Sequence, residues 1–467
     1  MSKISQITRE SGRQAAGYLG LGLLAFGAGL GASMGLQVAA AICGSVVFGV
    51  LLLRVPVLAS GTVLFGVLML GSIEAPRLLG ITITNMSLAV CIVVLAARHL
   101  WISRSTDVPL RLPIWSLIFV LMLLGGSNVS AVFSSLSTPL LVGFLSLFLA
   151  KQAPKVLLTV LGIAGLVHAG IGLFESATHS SLVYTDWKDA SAADISGIRR
   201  AASTVGDPNY LALTLLCSAP GVFSMVGRWK PLLRYIALGG YVAAFVLTFS
   251  RGVFLAALAA VVIYLFLTRT GQKNVGRTVA FALIGAVVVA VFVLSPLGQS
   301  FIDRFTSLDA SSRQRAVIQA AALELFQENW LAGLGFGELS THLAPLAQAL
   351  VPLNASGVRA FLPQSDPLNT YLLIGAEGGI TALIVIVGLL GYAIARNHKK
   401  NPVLTGTIAG LGIAAITLDL VQLPLVWCLL TFSLHYSSKH MHEPRQASPG
   451  QLLDESTTHV VNLSKVS

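Results

Sequence analysis

Charged residues are scarce in this chain: they make up 10% of its 467 residues, whereas hydrophobic residues make up 55%. Soluble domains carry about 25% charged residues, so the composition excludes a soluble multidomain protein. Runs of about 20 apolar residues, each long enough to cross a bilayer as a helix, recur along almost the whole sequence. The sequence therefore predicts an all-α integral membrane protein with about 12–14 transmembrane helices and two large outer loops containing short helices.

Patterns that bind metals, form disulfides or hold nucleotides are also scarce. The four cysteines lie singly in apolar runs, which is typical of small buried side chains. The tail histidines His435, His440 and His442 resemble a metal-binding tract only weakly, and a disordered tail is the favoured interpretation. The glycine-rich stretch 333–337 lacks the preceding strand and the following Lys-Ser/Thr of a phosphate-binding loop. We therefore expect no metal and no cofactor.

The apolar runs divide the chain into four regions. N-terminal helices occupy 1–154, and a core with outer loops at about 176–207 and 297–367 occupies 155–395. Further helices occupy 396–436, and a disordered cytoplasmic tail occupies 437–467. The basic start resembles a signal peptide, but the first run is long and others follow at once, so a retained helix is predicted. The fourteen predicted spans are 15–34, 36–53, 57–74, 79–97, 113–131, 136–150, 156–175, 208–226, 235–250, 252–268, 278–296, 368–392, 403–418 and 420–436.

The charge distribution predicts the orientation of these spans. With the N-terminus in the cytoplasm, the inner segments hold 21 of the 30 basic residues but only 5 of the 19 acidic residues. This is the distribution that the positive-inside rule requires. The net charge of +11 is therefore attributed to topology, and no nucleic-acid partner is expected.

The outer segments contain eight arginines but one lysine. Topology selects for positive charge of either kind, whereas the planar arginine fork binds carboxylate or phosphate in a bidentate manner. The bias favours an anion-binding site on the outer face, and pairing with Asp186, Asp189 or Asp194 is the alternative. The nine outer cations are Arg77, Lys188, Arg199, Arg200, Arg251, Arg304, Arg313, Arg315 and Arg359.

Two of these arginines precede a predicted helix start. Arg199 and Arg200 come shortly before Asp207 and Pro208, which are typical of an N-cap and a first helical position. The free N–H groups of such a helix, with the upstream cationic pair, predict a phosphate cradle that includes Asn209 in the first turn. The alternative is a capped helix whose arginines contact lipid headgroups.

Further cations stand at the other outer segments. Arg251 lies between two spans with no room for a loop, where a charge must face an aqueous cavity or an acidic partner such as Glu377 or Asp419. In the long loop, Arg313 and Arg315 open a predicted amphipathic helix that runs to about residue 329.

Candidate acid–base groups are fewer. His342 is an isolated loop histidine that could act as a general base or be a solvated bystander. Asp366, Thr370 and Glu377 fall on one predicted helical face, and the two carboxylates are about 16 Å apart along it. This separation is too large for a glycosidase-type pair. Asp366 could therefore act alone as a base, and Glu377 is expected to pair with an arginine.

These residues, taken in order, resemble the O-antigen ligase and O-antigen polymerase superfamily of bacterial membrane glycosyltransferases. The resemblance covers roughly residues 155–395, and the order and spacing of its motifs are more specific than any one motif. The motifs are Arg200-x-x-x-Thr204-x-x-Asp207-Pro208-Asn209, Ser250-Arg251-Gly252, Arg313 with Arg315, Gly333-x-Gly335-x-Gly337, Asn369-x-Tyr371-Leu372 and Glu377-x-Gly379.

The resemblance implies a metal-independent glycosyltransferase in the bacterial inner membrane, with its site facing the periplasm and both termini in the cytoplasm. Its donor would be a glycan on undecaprenyl diphosphate. The acceptor would be a lipid-linked glycan in polymerases or lipid A core in ligases. Membrane lipids and possible chain-length regulator and flippase proteins are the other expected partners.

The resemblance implies that arginines hold the diphosphate. From the residues themselves, we expect either Asp366 or His342 to activate the acceptor hydroxyl, with other polar side chains supporting the site. The arginines are Arg199, Arg200, Arg251, Arg313 and Arg315, and the supporting residues are Asp207, Asn209, Gln364, Asn369 and Glu377.

The sequence departs from the family pattern at two positions, and the first departure favours a polymerase over a ligase. Family ligases carry a His-Asn pair, and here Leu368 occupies the histidine position before Asn369, with Gln364 the nearest polar residue one turn earlier. The usual glycine after the first arginine is Ser203. A transporter of an anionic solute is the alternative from another class, but its site would lie at the bilayer midplane between repeats, and no repeat is evident.

Overall fold

A computed structural model describes residues 56–70, 77–78, 81–82, 88–89, 91–93, 95, 129–180, 199–269, 299, 302, 310–350, 367–421 and 423–435. These residues are helical apart from turns and one antiparallel pair of two-residue strands, β1 (Arg77–Leu78) and β2 (Ile81–Thr82). The helices are α1 (Pro56–Leu70), α2 (Val129–Gln152), α3 (Pro154–Thr178), α4 (Pro208–Val226), α5 (Pro231–Val246), α6 (Arg251–Arg269), α7 (Ala310–Glu328), α8 (Leu339–Leu350), α9 (Thr370–Asn397), α10 (Pro402–Ala414) and α11 (Pro424–His435).

The helices are those of an integral membrane protein. Among the described residues, α3, α4, α6 and α9 are long and apolar enough to cross a membrane, and five shorter apolar helices accompany them. This confirms the all-α membrane fold. The predicted spans 15–34, 36–53 and 278–296 and the predicted tail lie outside the described residues.

Most predicted boundaries in the described part agree with the helices, because proline marks the helix starts. Proline occupies the first position of α3, α4, α5, α10 and α11, where its missing N–H costs nothing. Two predictions were wrong. The predicted span 79–97 begins inside the strand pair, and α2 is longer than the predicted 136–150. Helix α8 lies in the long loop, where short helices were predicted without bounds for this one.

The helix directions give the bundle two chemically different ends. One end, here called the site end, comprises the ends of α3 and α5, the starts of α4, α6 and α9, and the α10–α11 connection. The opposite end is called the basic end. Its described residues include lysines and arginines but no aspartate or glutamate. These lysines and arginines are Lys151, Lys155, Arg228, Lys230, Arg234, Arg396, Lys399 and Lys400.

Small residues let the helices that build the site end approach closely. Gly162 of α3 faces Gly221 of α4, and a Cβ on either would meet the backbone of the other helix. Gly410 of α10 likewise faces the Ala256 carbonyl of α6. Apolar attraction alone does not drive helix association in lipid, so such close backbone packing is a main source of stability.

Helix α9 is broken in its first half. Gly379 adopts φ 69° and ψ −172°, which removes the regular hydrogen bonds across this point. The segment between α7 and α8 supplies the missing partners. The Ala376 carbonyl accepts from the Leu334 N–H (2.8 Å), and the Ile380 N–H donates to the Trp330 carbonyl (2.7 Å). The break is therefore satisfied by protein rather than by water.

The glycine-rich stretch 333–337 forms further contacts with the broken part of α9. Gly333, Gly335 and Gly337 have φ between 76° and 96°, a region that favours glycine. The Gly335 N–H donates to the Glu377 carbonyl (2.9 Å), and the Gly337 N–H donates to the Glu377 carboxylate (3.0 Å). The Glu377 carboxylate therefore holds this turn. The expected pairing of Glu377 with an arginine stays a prediction.

Gly379→Ala should destabilise the protein, because its Cβ would overlap the Leu331 carbonyl and alanine disfavours a positive φ. We expect a loss of more than about 2 kcal/mol in the free energy of unfolding, measured by thermal unfolding in detergent. Gly388→Ala is the matched control, since it lies in the same helix with open space around it. Equal unfolding temperatures for the two variants would contradict this role of Gly379.

Candidate functional site

Arg200 is buried at the site end and joins two segments that are distant in sequence. Its guanidinium Nε–H donates to the Thr248 carbonyl (2.9 Å), and an Nη2–H donates to the Asn209 side-chain oxygen (3.5 Å). The Ala201 N–H donates to the Leu247 carbonyl (2.9 Å) beside it. Arg200 thus lies between the α5–α6 connection and the first turn of α4.

Arg199, the neighbour of Arg200, turns the other way. Its guanidinium donates to the His179 carbonyl (3.1 Å), and its own carbonyl accepts from the Ser176 hydroxyl (2.8 Å). Both partners lie at the end of α3. Arg199 therefore anchors the segment to α3, while Arg200 faces α4, α5 and α6. The predicted acidic alternatives Asp186, Asp189 and Asp194 lie outside the described residues.

The start of α4 confirms the predicted N-cap but corrects the phosphate cradle. The Asp207 carboxylate accepts from the Asn209 N–H (2.6 Å) and the Tyr210 N–H (3.2 Å). These N–H groups were expected to be free for an anion, and the carboxylate already occupies them. Anion binding here would therefore depend on arginine side chains rather than on the helix N-terminus.

Arg251 is the first residue of α6, directly after a four-residue connection from α5. The tight turn uses Phe249 at φ 50° and a hydrogen bond from the Ser250 N–H to the Thr248 hydroxyl (3.3 Å). A Cβ on Gly252 would overlap Thr417, so this turn lies against the α10–α11 connection. The α5–α6 connection, the turn that carries Arg200 and the α10–α11 connection thus meet at one place, here called the joint, and Arg251 directly follows the first of them.

The same α10–α11 connection holds the start of α9. The Thr370 hydroxyl donates to the Leu418 carbonyl (2.7 Å) and accepts from the Leu420 N–H (2.8 Å). Asn369 caps the helix by accepting from the Tyr371 N–H (3.0 Å) and Leu372 N–H (3.1 Å). The start of α9 therefore meets the same joint as Arg251.

Helix α7 reaches this joint through Gln319, whose side-chain amide donates to the Pro367 carbonyl (3.3 Å). Arg315 is half-buried one turn before Gln319 and so lies on the same helix face. The Arg313 backbone is in α7, but its side chain lies outside the described residues, as do Gln364 and Asp366. Because α9 starts at Thr370, the predicted shared helix face of Asp366, Thr370 and Glu377 is testable here only for the last two.

His342 differs from its prediction. It lies within helix α8 rather than in an open loop, and its side chain is exposed. The described contacts of α8 are with α7 and the region of α9 around Ala376. Nothing in these contacts connects His342 with the joint of Arg200 and Arg251.

Both departures from the family pattern occur at unusual backbone positions. Ser203 has φ 55° and Leu368 has φ 48°, in the left-handed region that favours glycine. The conformation of Ser203 explains why a glycine suits this place. The conformation at Leu368 turns the chain between Pro367 and the Asn369 cap.

Sequence reasoning missed a buried polar cluster beside Arg200. His168 and Glu175 of α3 have 0% and 2% of their surface exposed, and both contact Ser203. The available signal was two polar residues seven positions apart within an apolar run, which places them on one helix face.

Metal ligands do not assemble in the part of the chain that the structure describes. No group of three or more His, Cys, Asp or Glu side chains that could hold a metal ion occurs among the described residues. The expectation of metal-independent chemistry stays a prediction.

Substitutions of Asp207 test its role as the N-cap of α4. Asp207→Ala should lower the free energy of unfolding by about 1 kcal/mol, whereas Asp207→Asn keeps the acceptor oxygen and the stability. Asn401→Ala is the matched control, since Asn401 caps α10 at the basic end by accepting from the Leu404 N–H. Thermal unfolding in detergent is the measurement; a loss for Asn401→Ala but none for Asp207→Ala would contradict the capping role.

Two comparisons with known proteins bear on this site. The profile of a family described as O-antigen ligase matches residues 235–387, which run from α5 through the long loop into α9. The chain is also 28% identical over 170 residues to an O-antigen ligase of Salmonella typhimurium, over 36% of this chain and 41% of the relative's length. Over these residues the chain is therefore similar to the O-antigen ligase and O-antigen polymerase superfamily, as its motifs predict.

Proposed function

We propose that this protein transfers a glycan from undecaprenyl diphosphate to a saccharide acceptor at the periplasmic face of the bacterial inner membrane. The observation that carries the proposal is the convergence of Arg200, Arg251 and the Arg315 face of α7 through one set of contacts at the site end. The described lysines all lie at the opposite end, where no described carboxylate accompanies them, and this supports the orientation.

The arginines would bind the diphosphate of the donor. Charge on this group increases as the bond to the sugar breaks, so preformed cationic forks stabilise the transition state more than the ground state. Arg200 presents its fork from a buried, hydrogen-bonded position, which fixes it before substrate binds. Arg199 would contribute through its hold on the segment, and Arg313 is proposed from its place in α7.

The acceptor hydroxyl would attack the anomeric carbon of the donor. A new glycosidic bond forms, the bond to the diphosphate oxygen breaks, and undecaprenyl diphosphate leaves. The hydroxyl proton passes to a base, for which we propose Asp366 rather than His342. Asp366 adjoins Pro367, whose carbonyl is bound by Gln319 near Arg315, whereas His342 is exposed on α8.

The acceptor defines two versions of this function. The ligase version, with lipid A core as acceptor, is at least as well supported as the polymerase version, because the matching family and the relative both carry the description O-antigen ligase. The polymerase version is favoured by Leu368 at the position of the ligase histidine. A transporter finds less support, since Arg200 and Arg251 lie close to each other at the site end rather than along a path across the membrane.

Arg251→Lys should abolish most of the activity, because lysine keeps the charge but loses the fork. We expect a decrease on the order of 10- to 100-fold in polymeric or ligated glycan from a deletion strain complemented with this variant, with membrane insertion verified. Accumulated lipid-linked single repeats would indicate a polymerase, and accumulated lipid-linked chains a ligase.

Arg234→Lys at the basic end is the matched control and should leave product unchanged. If Arg251→Lys makes the wild-type amount of product, Arg251 is a structural charge and does not belong to the diphosphate site.

A further inference from the structure

Two polar side chains lie deep within helix α3, on the face toward the site. His168 and Glu175 are almost completely buried in a helix that is otherwise apolar enough to span the membrane. They are seven residues apart, which separates them by about 10 Å along one helix face. Polar groups are costly in such a helix, so their retention there indicates a specific use.

Both side chains hold the same residue. His168 Nε2 lies 3.2 Å from the Leu68 carbonyl, which can only accept, so this nitrogen carries the proton. In the neutral ring, Nδ1 then accepts from the Ser203 hydroxyl at 3.0 Å. The Glu175 carboxylate accepts from the Ser203 N–H at 2.6 Å. Ser203 is therefore fixed through both its side chain and its backbone.

The cluster also includes the end of α1. The carbonyls of Leu68 and Met69 lie in the last turn of that helix, where no further turn provides a partner. His168 donates to the first carbonyl, and the Thr204 hydroxyl donates to the second at 2.7 Å. The cluster thus joins α1, α3 and the Ser203–Thr204 turn.

This turn leads directly from Arg200 to α4. Its Ser203 is held at φ 55°, a conformation that persists only where neighbours enforce it. Arg200 lies three residues earlier and is held from the other side by the Thr248 carbonyl. The position of the guanidinium therefore depends on contacts from α3 on one side and from the α5–α6 connection on the other.

We propose that His168 and Glu175 are positioning residues, which hold the Ser203–Thr204 turn and through it keep the Arg200 guanidinium at the diphosphate of the donor. This inference rests on the proposed function. Because charge develops on the leaving diphosphate, a displaced guanidinium loses transition-state contacts more than donor binding. Loss of either residue therefore lowers kcat and leaves KM for the donor nearly constant.

The test measures kcat and KM of detergent-purified protein with lipid-linked repeat units, using lipid A core and lipid-linked repeats in turn as acceptor. His168→Phe and Glu175→Leu should lower kcat roughly 10- to 100-fold. Glu175→Gln should restore most of it, since the amide oxygen still accepts from the Ser203 N–H. His435→Phe is the matched control and should match wild type, because His435 lies at the end of α11, at the basic end, where its ring is within 3.0 Å of the Thr431 carbonyl of its own helix.

A second comparison separates this inference from the proposed function. In an Arg200→Lys background, His168→Phe should produce little further loss, since it acts through the residue already altered. The positioning role would be overturned if the kcat loss of the double variant equalled the product of the two single losses. Wild-type kcat for both α3 variants would overturn it as well. Wild-type kcat for Arg200→Lys and Arg200→Gln would instead overturn the proposed function.

Variants that fail to fold are recognised by size-exclusion chromatography and thermal unfolding. If His168→Phe is unstable, the Glu175→Leu and Glu175→Gln pair decides the question alone. Equal kcat in these two variants contradicts the inference, and a loss in Glu175→Leu that Glu175→Gln reverses supports it.

Discussion

Backbone N–H and carbonyl groups that leave a helix within an apolar layer must find partners inside the protein, because lipid offers none. In the described part of this chain, several irregular segments meet this requirement by binding another segment that is distant in sequence. The break of α9 at Gly379 is closed by residues 330–337. The start of α9 is held by the α10–α11 connection, and the α5–α6 connection is held by Arg200 and Ala201.

This requirement brings the arginines together. A connection that must bind a partner segment approaches it closely, and any side chain carried by either segment comes along. Arg200 arrives with the turn before α4, Arg251 with the tight turn before α6, and Arg315 with the helix whose Gln319 binds Pro367. Most of these anchoring contacts join a side chain to a backbone group, and the Arg200 guanidinium is itself one of the anchors.

The sequence predicted the spans and the arginine-bearing segments well, because apolar length, proline at helix starts and the Asp207 cap are local signals. It did not predict the break of α9, since Glu377 and Gly379 fit an ordinary helix until the glycine-rich turn is brought against them. The bounds of helix α8 were not predicted, and His342 was taken for a loop residue, because the segment is short and lies within a polar loop. The His168 cluster depends on three elements meeting, which no local pattern encodes.

The measurement that tests the central claim most directly is binding of radiolabelled undecaprenyl diphosphate to the purified protein in detergent. The claim predicts saturable binding by wild type, its loss when Arg200 and Arg251 are both changed to Gln, and its retention when Arg228 and Arg234 at the basic end are changed to Gln. Folding of each variant is verified by size-exclusion chromatography. Equal binding by the two double variants would contradict the claim that the site end holds the diphosphate.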